Sequence, residues 1–208
     1  MPKRTYKQHC ALARALDAVG ERWTLLLVRE LLTGPKRYKD LQQGLPGMGT
    51  NLLADRLKEL VEGGLILRCA HGYSLTPRGA QLEEAIIALA RFGAPLLGQR
   101  KPDEHWSASW NVVALKYAFN AVRAKTLEGV IEYRIDGSTV QARVDRGTIA
   151  TASGPRWNPD VVATADGDTF LGIASGEVDP DSAERAGTLL LEGSRRVWRG
   201  ALRAFGPG

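Results

Sequence analysis

Leu12, Leu16 and Val19 recur at helical spacing and predict a helix over residues 10–19, ended by Gly20. Residues 21–32 read as a second helix. Its run Trp23-Thr24-Leu25-Leu26-Leu27-Val28 is apolar nearly all round, as expected of a central, buried helix. Gly34-Pro35 stops it, and residues 38–43 form a short third helix around Leu41. After a turn at residues 44–49, Leu53, Leu57, Leu60 and Val61 fall at i, i+4, i+7 and i+8. They predict a fourth helix from Gly49 or Thr50 to Glu62, with Thr50, Asn51, Asp55 and Lys58 opposite the apolar stripe and Arg56 at its flank. Strands over residues 65–69 and 73–75 turn at His71-Gly72. Thr76-Pro77 opens a helix to about residue 97, with Leu82, Ile86, Leu89, Ala90, Phe92 and Gly93 on its inner side.

Residues 99–105 are polar, contain Pro102 and read as a linker between domains at 1–98 and 106–208. Residues 106–125 predict one long helix with a wet strip of Lys116, Asn120 and Arg123. Strands follow at 127–135, 139–145 and 148–152, with hairpin-type turns at Asp136-Gly137 and Arg146-Gly147. A fourth strand at 161–165, short helices at 168–175 and 180–186 and a last strand at 188–192 come next. Asp179 and Pro180 supply a cap and a first helical residue, and Ser194 caps a final helix carrying Val197, Trp198, Ala201, Leu202 and Phe205. The fold class is α+β, the second half being a sheet with helices on one face.

Charge sharpens the first half. Of the net +5, residues 1–105 hold 16 Lys+Arg against 11 Asp+Glu, and residues 106–208 hold 12 against 12. A polyanionic partner is therefore expected of the first half alone. Helix, short helix, turn, amphipathic helix and hairpin is the order of a winged helix-turn-helix. In such a domain one helix enters the major groove of double-stranded DNA, presenting short polar and basic side chains. Thr50, Asn51, Asp55, Arg56 and Lys58 are the candidate readers. Lys36, Arg37 and Lys39 are placed to clamp the phosphate backbone, and Arg68 and His71 flank the wing tip. No apolar run approaches the ~18 residues that span a bilayer, and the basic N-terminus lacks the pattern of a secretory leader. A cytoplasmic protein without a membrane partner is expected. Cys10 and Cys69 are then reduced thiols.

Residues 10–79 resemble the HxlR-type winged-helix regulators. The resemblance rests on Cys10-Ala11-Leu12-Ala13, Asp17-Ala18-Val19-Gly20, the run Arg22 to Leu31, Arg37-Tyr38-Lys39-Asp40-Leu41, the run Leu52 to Leu60, Gly64-Leu65-Ile66 and Tyr73 to Gly79. It implies a homodimer formed through the N-terminal helix and the long helix after the wing, bound to a pseudo-palindromic operator. One departure is Gly49, where such regulators often carry a serine; Thr50 is expected to cap the helix instead.

The second half resembles sterol carrier protein type 2-like domains. The matching stretches are Asp160 to Asp166 leading into Phe170-Leu171, Ser175 to Pro180, Ala186 to Gly193 and the closing helix to Phe205. This resemblance implies a mixed sheet with a hydrophobic tunnel beneath its helices, suited to lipids or other apolar molecules. Trp106, Trp110, Trp157 and Trp198, joined by Tyr117 and Phe170, are the candidate ligand-binding residues, each with ordinary core packing as the competing reading. His9, His71 and His105 stand in no nucleophile or metal motif, and there is no Gly-rich phosphate loop. No enzyme activity, cofactor or metal site is expected.

Four readings remain open: an effector-gated regulator, an oxidant or electrophile sensor acting through Cys10, a lipid carrier or enzyme localised by its DNA module, and a C-terminal module serving dimerisation only. A thiol at a helix N-terminus ionises more readily and reacts faster; the competing reading makes Cys10 a small buried hydrophobe.

Overall fold

The computed structural model describes residues 5–206 apart from Gln99 and Pro102, so part of the expected linker lies outside the described residues. The contacts divide the chain after Ile86, earlier than the limit at residue 98 read from the sequence. That division falls inside a helix. Arg91, in its last turn, donates to the carbonyls of Tyr117 (3.2 Å) and Lys116 (3.3 Å) within the second unit.

The first unit contains α1 (Ala11–Val19), α2 (Thr24–Leu32), α3 (Tyr38–Gly44), α4 (Thr50–Glu62), β1 (Ile66–Cys69), β2 (Gly72–Leu75) and α5 (Pro77–Ala80). Leu27 and Leu31 of α2, Leu41 of α3, and Leu53, Leu57 and Leu60 of α4 form its core with Leu45, Met48, Leu65 and Ile66. α2 starts three residues later than the helix expected over residues 21–32, because Trp23 sits in the left-handed region at φ 78°. Nor is it buried all round, for Leu26 is exposed.

One helix was expected over residues 77–97. Instead α5 is followed by a separate α6 (Leu82–Gly93) and a 3₁₀ turn, Ala94–Leu96. Pro95 lacks the N–H that would continue α6. Of the expected inner side, Ile86 is buried but Leu89 and Phe92 are exposed, as are Leu96 and Leu97 beyond them.

The second unit is built on a five-stranded sheet of β3 (Glu128–Ile135), β4 (Ser138–Asp145), β5 (Thr148–Ser153), β6 (Val161–Ala165) and β7 (Leu189–Gly193), in the order β5-β4-β3-β6-β7. β3 and β6 run parallel and the other neighbours antiparallel, so the sheet is mixed. Both hairpins turn where Asp-Gly and Arg-Gly stand: φ is positive at Asp136, Gly137, Arg146 and Gly147, as type I′ turns require.

Ile131, Tyr133, Ile135, Val140, Ala142 and Val144 face inward under α7 (Asn111–Ala118), α9 (Pro180–Ala186) and α10 (Arg195–Phe205). Glu132, Arg134, Gln141 and Arg143 alternate with them and face outward. α8 (Gly167–Ser175) opens with Asp166 accepting from the Thr169 N–H at 2.7 Å. Burial holds the Tyr133 phenol above its ordinary range.

The long helix expected over residues 106–125 is a correction. Only a 3₁₀ turn at Ala108–Trp110 and α7 form, and Phe119 is extended at ψ 125°. Asn120 is the cause. Its side-chain oxygen accepts from the Val122 and Arg123 N–H groups at 3.1 Å each, and its own N–H donates to the Ala204 carbonyl at 2.9 Å. A local asparagine turn outcompetes the helix.

Candidate functional site

α4 owes its position to both its faces. Leu53, Leu57 and Leu60 anchor one side in the core, leaving Thr50, Asn51, Asp55 and Lys58 exposed on the other. The hydroxyl of Tyr38 donates to the Thr50 carbonyl at 2.8 Å and ties α3 to the start of α4. Sequence reasoning missed Tyr38, whose aromatic character marks it only as core. Thr50 does not cap the helix: Gly49 occupies the capping position and offers no side-chain cap to the N–H groups of the first turn. Those N–H groups suit an anion such as phosphate.

Arg56 behaves differently from its neighbours. Its guanidinium pairs with Glu59 and with Glu21 (3.2 Å), and its side chain is only 14% exposed. It braces α4 to the turn before α2, rather than reaching outward like Asn51 or Lys58. Nothing in the local spacing announced this, because Glu21 lies 35 residues away.

The wing and the entry to α3 form one surface. β1 and β2 pair from Ile66↔Leu75 to Cys69↔Gly72. Lys36 extends the ladder: its N–H donates to the Tyr73 carbonyl at 3.0 Å, and the Tyr73 N–H donates back at 2.8 Å. This places Lys36, half-buried, beside exposed Arg37 and Lys39. Arg37 donates its N–H to Asp40 Oδ2 at 2.9 Å, closing the first turn of α3. Arg68 and His71 are exposed on the hairpin, with the Arg68 guanidinium 5.8 Å from the Tyr73 ring centroid. Lys36, Arg37, Lys39, Arg68 and His71 therefore gather around the bridge, while Thr50, Asn51, Asp55 and Lys58 line the helix.

The second unit divides the six aromatic candidates. Trp198 is buried in the core, and Trp106 and Phe170 pack against it. Phe170 meets Tyr133 edge-on at 5.6 Å. Trp110, at the end of the 3₁₀ turn before α7, and Tyr117 on α7 are half-buried, Trp110 edge-on to His105 at 5.4 Å. Trp157 lies on the opposite face of the sheet. Its ring stacks with Arg143 (4.9 Å) and Arg156 (5.7 Å), and its backbone is held by Gln141. It cannot line an interior shared with Trp106, Phe170 and Trp198.

Cys10 is exposed in the single chain at the start of α1, and Cys69 is half-buried. In the last turn of α1, Asp17 holds residues 5 and 6 by accepting from the Tyr6 N–H (2.8 Å) and the Thr5 hydroxyl (2.9 Å). Those bonds, the Tyr6 one foremost, keep its carboxyl below the ordinary range. Among the described residues no helix is long and apolar enough to cross a membrane, and no group of three or more His, Cys, Asp or Glu could hold a metal ion.

Residues 18–101 match the HxlR-like helix-turn-helix family, and residues 115–199 match the SCP-2 sterol transfer family. An HTH-type transcriptional regulator of Synechocystis is 33% identical over 97 residues, covering 43% of this chain and 72% of that protein. An HTH-type transcriptional regulator of Mycobacterium tuberculosis is 41% identical over 90 residues, 40% of this chain and 56% of the relative, so the chain spans little more than half of that protein. The crystal structure of quinone-bound YodB from Bacillus subtilis is 30% identical, with 41% of this chain and 98% of that one covered at a TM-score of 0.38. The chain belongs to the HxlR-like helix-turn-helix family of transcriptional regulators and carries an SCP-2 sterol transfer family domain over residues 115–199.

Proposed function

We propose that this regulator works as a homodimer on a pseudo-palindromic operator, and that an apolar molecule in its C-terminal domain sets operator affinity. The observation that carries the DNA half is the outward face of α4. Thr50, Asn51, Asp55 and Lys58 are free of the core that fixes the helix, so the helix can enter a groove without unfolding anything. Leu12 and Leu16 of α1 and Leu89 and Phe92 of α6 are exposed in the single chain, which supports burial of both helices against a second copy. Trp106, Phe170 and Trp198 support an apolar effector site under the helices of the second unit. Coupling of about 1–3 kcal/mol between the sites would change operator affinity about 5–150-fold. Half-sites would lie about one helical turn apart.

Asn51→Ala is expected to weaken operator binding by about 10–100-fold, the cost of losing one good base contact, with unchanged circular dichroism. Fluorescence anisotropy on the selected operator measures it, and wild-type affinity in the variant would refute the assignment. Native mass spectrometry of the same preparation reads the oligomer and any retained apolar molecule; a bare monomer counts against both.

The exposure of Cys10 favours one further reading, in which the switch is an oxidant or electrophile acting on that thiol. A Cys10→Ser chain that still loses its operator on treatment with the reagent would eliminate it.

A further inference from the structure

Counted as a whole, residues 106–208 are electrically neutral, yet their charges are sorted. Residues 194–206 contain Arg195, Arg196, Arg199 and Arg203 and no acidic residue. Arg195 is matched by Glu184, whose two carboxylate oxygens both accept from its guanidinium. The other three are exposed, and among the described residues no carboxylate lies within ion-pair distance of them. They stand at i, i+3 and i+7 of α10, one stripe about 10 Å long. The opposite side of the helix is sealed into the core by Val197, Trp198, Ala201 and Ala204.

We propose that this stripe is a second contact for duplex DNA, gripping its phosphate backbone. The inference rests on the DNA-binding reading above. Three uncompensated guanidiniums in line suit a polyanion, and arginine forms forked hydrogen bonds to phosphate oxygens. A duplex offers one charge per ~1.7 Å of its axis, so a stripe of this length meets several phosphates at once. An anionic bilayer fits less well. Membrane-surface helices bury an apolar face in lipid, and here that face is already buried in protein. Contacts of this kind carry affinity and no base information, so every sequence gains equally.

The test uses the full chain, with Arg196→Gln, Arg199→Gln and Arg203→Gln combined, binding to the operator and to a long random-sequence duplex over a range of salt. The stripe variant is expected to bind both duplexes more weakly, with the slope of log affinity against log salt smaller by roughly two to three. A control variant neutralises three ion-paired arginines, Arg100, Arg146 and Arg185, and loses the same net charge. Its slope is expected to change by less than about one. A wild-type slope in the stripe variant, or an equal loss in the control, overturns this proposal and leaves the α4 assignment standing. Stripe-dependent binding to phosphatidylserine vesicles without a change in duplex slope overturns it in favour of a membrane. A wild-type chain that ignores every duplex overturns the DNA reading and this inference together.

Discussion

Gly72→Ala should unfasten the wing and weaken duplex binding at least tenfold, while the second unit stays folded. Gly72 has φ +114°, a conformation L side chains rarely adopt, and a Cβ there would lie 2.3 Å from the Lys36 carbonyl oxygen and 2.8 Å from the Arg37 Cα. Both neighbours are backbone, so the clash is relieved only by moving the strand or the loop. Either movement stretches the reciprocal bonds between Lys36 and Tyr73, the rung that holds the wing against the entry of α3. Strain of about 1–3 kcal/mol and two bonds worth about 0.5–1.5 kcal/mol each give a loss on the order of 2–6 kcal/mol. Gly34→Ala is the control. Its φ is +125° but nothing lies within 4 Å of the added atom, so it carries strain without a clash. Hydrogen exchange at the Lys36 and Tyr73 amides should accelerate in the Gly72 variant far more than in the Gly34 variant. Equal exchange in the two would show that the close approach does not matter.

The sequence is most legible where one residue sets the backbone by itself. Asp136-Gly137 and Arg146-Gly147 mark their turns, Asp179-Pro180 starts its helix, and the leucine stripe of α4 gives both the helix and its exposed face. It is least legible where a distant group decides. The helix after residue 106 stops because Asn120 finds its own backbone and the end of α10, and neither partner shows in the periodicity. Arg56 looked like a base reader on a local count and is claimed by Glu21 across 35 residues. Periodicity also says which side of a helix is apolar without saying what covers it: Ile86 meets the core, whereas Leu89 and Phe92 on the same helix meet solvent. Averaging charge over a half-chain hides a stripe in the same way. Acidic residues on other elements cancel Arg196, Arg199 and Arg203 in the count without touching them.

Gln141→Leu is expected to destabilise the second unit strongly, and to be more damaging than removing the charge beside it. Gln141 is fully buried on the outward face of β4. Its side-chain N–H₂ donates to Glu132 Oε2 (2.7 Å) and to the Trp157 carbonyl (2.9 Å), and its oxygen accepts from the Arg156 and Trp157 N–H groups at 2.8 Å each. One side chain thus clasps residues 156 and 157 over the sheet and satisfies half of a buried carboxylate. Leucine has a similar volume and satisfies none of the four. It strands two N–H groups and a carbonyl, and leaves Glu132, 4% exposed, with Arg134 as its remaining partner in the network. An unmet buried group costs about 1–3 kcal/mol, and the stranded groups of exposed Arg156 and half-buried Trp157 fall at the low end of that range. The loss should therefore be about 3–5 kcal/mol. Glu132→Leu strands far less: Gln141 keeps its bonds to residues 156 and 157, and Arg134, half exposed, turns to water. That variant should lose no more than about 1–2 kcal/mol. Urea unfolding followed by tryptophan fluorescence separates the two, since four of the five tryptophans lie in this unit. If Glu132→Leu proves the costlier, the clasp over residues 156 and 157 is not what holds this face, and the ion pair with Arg134 is.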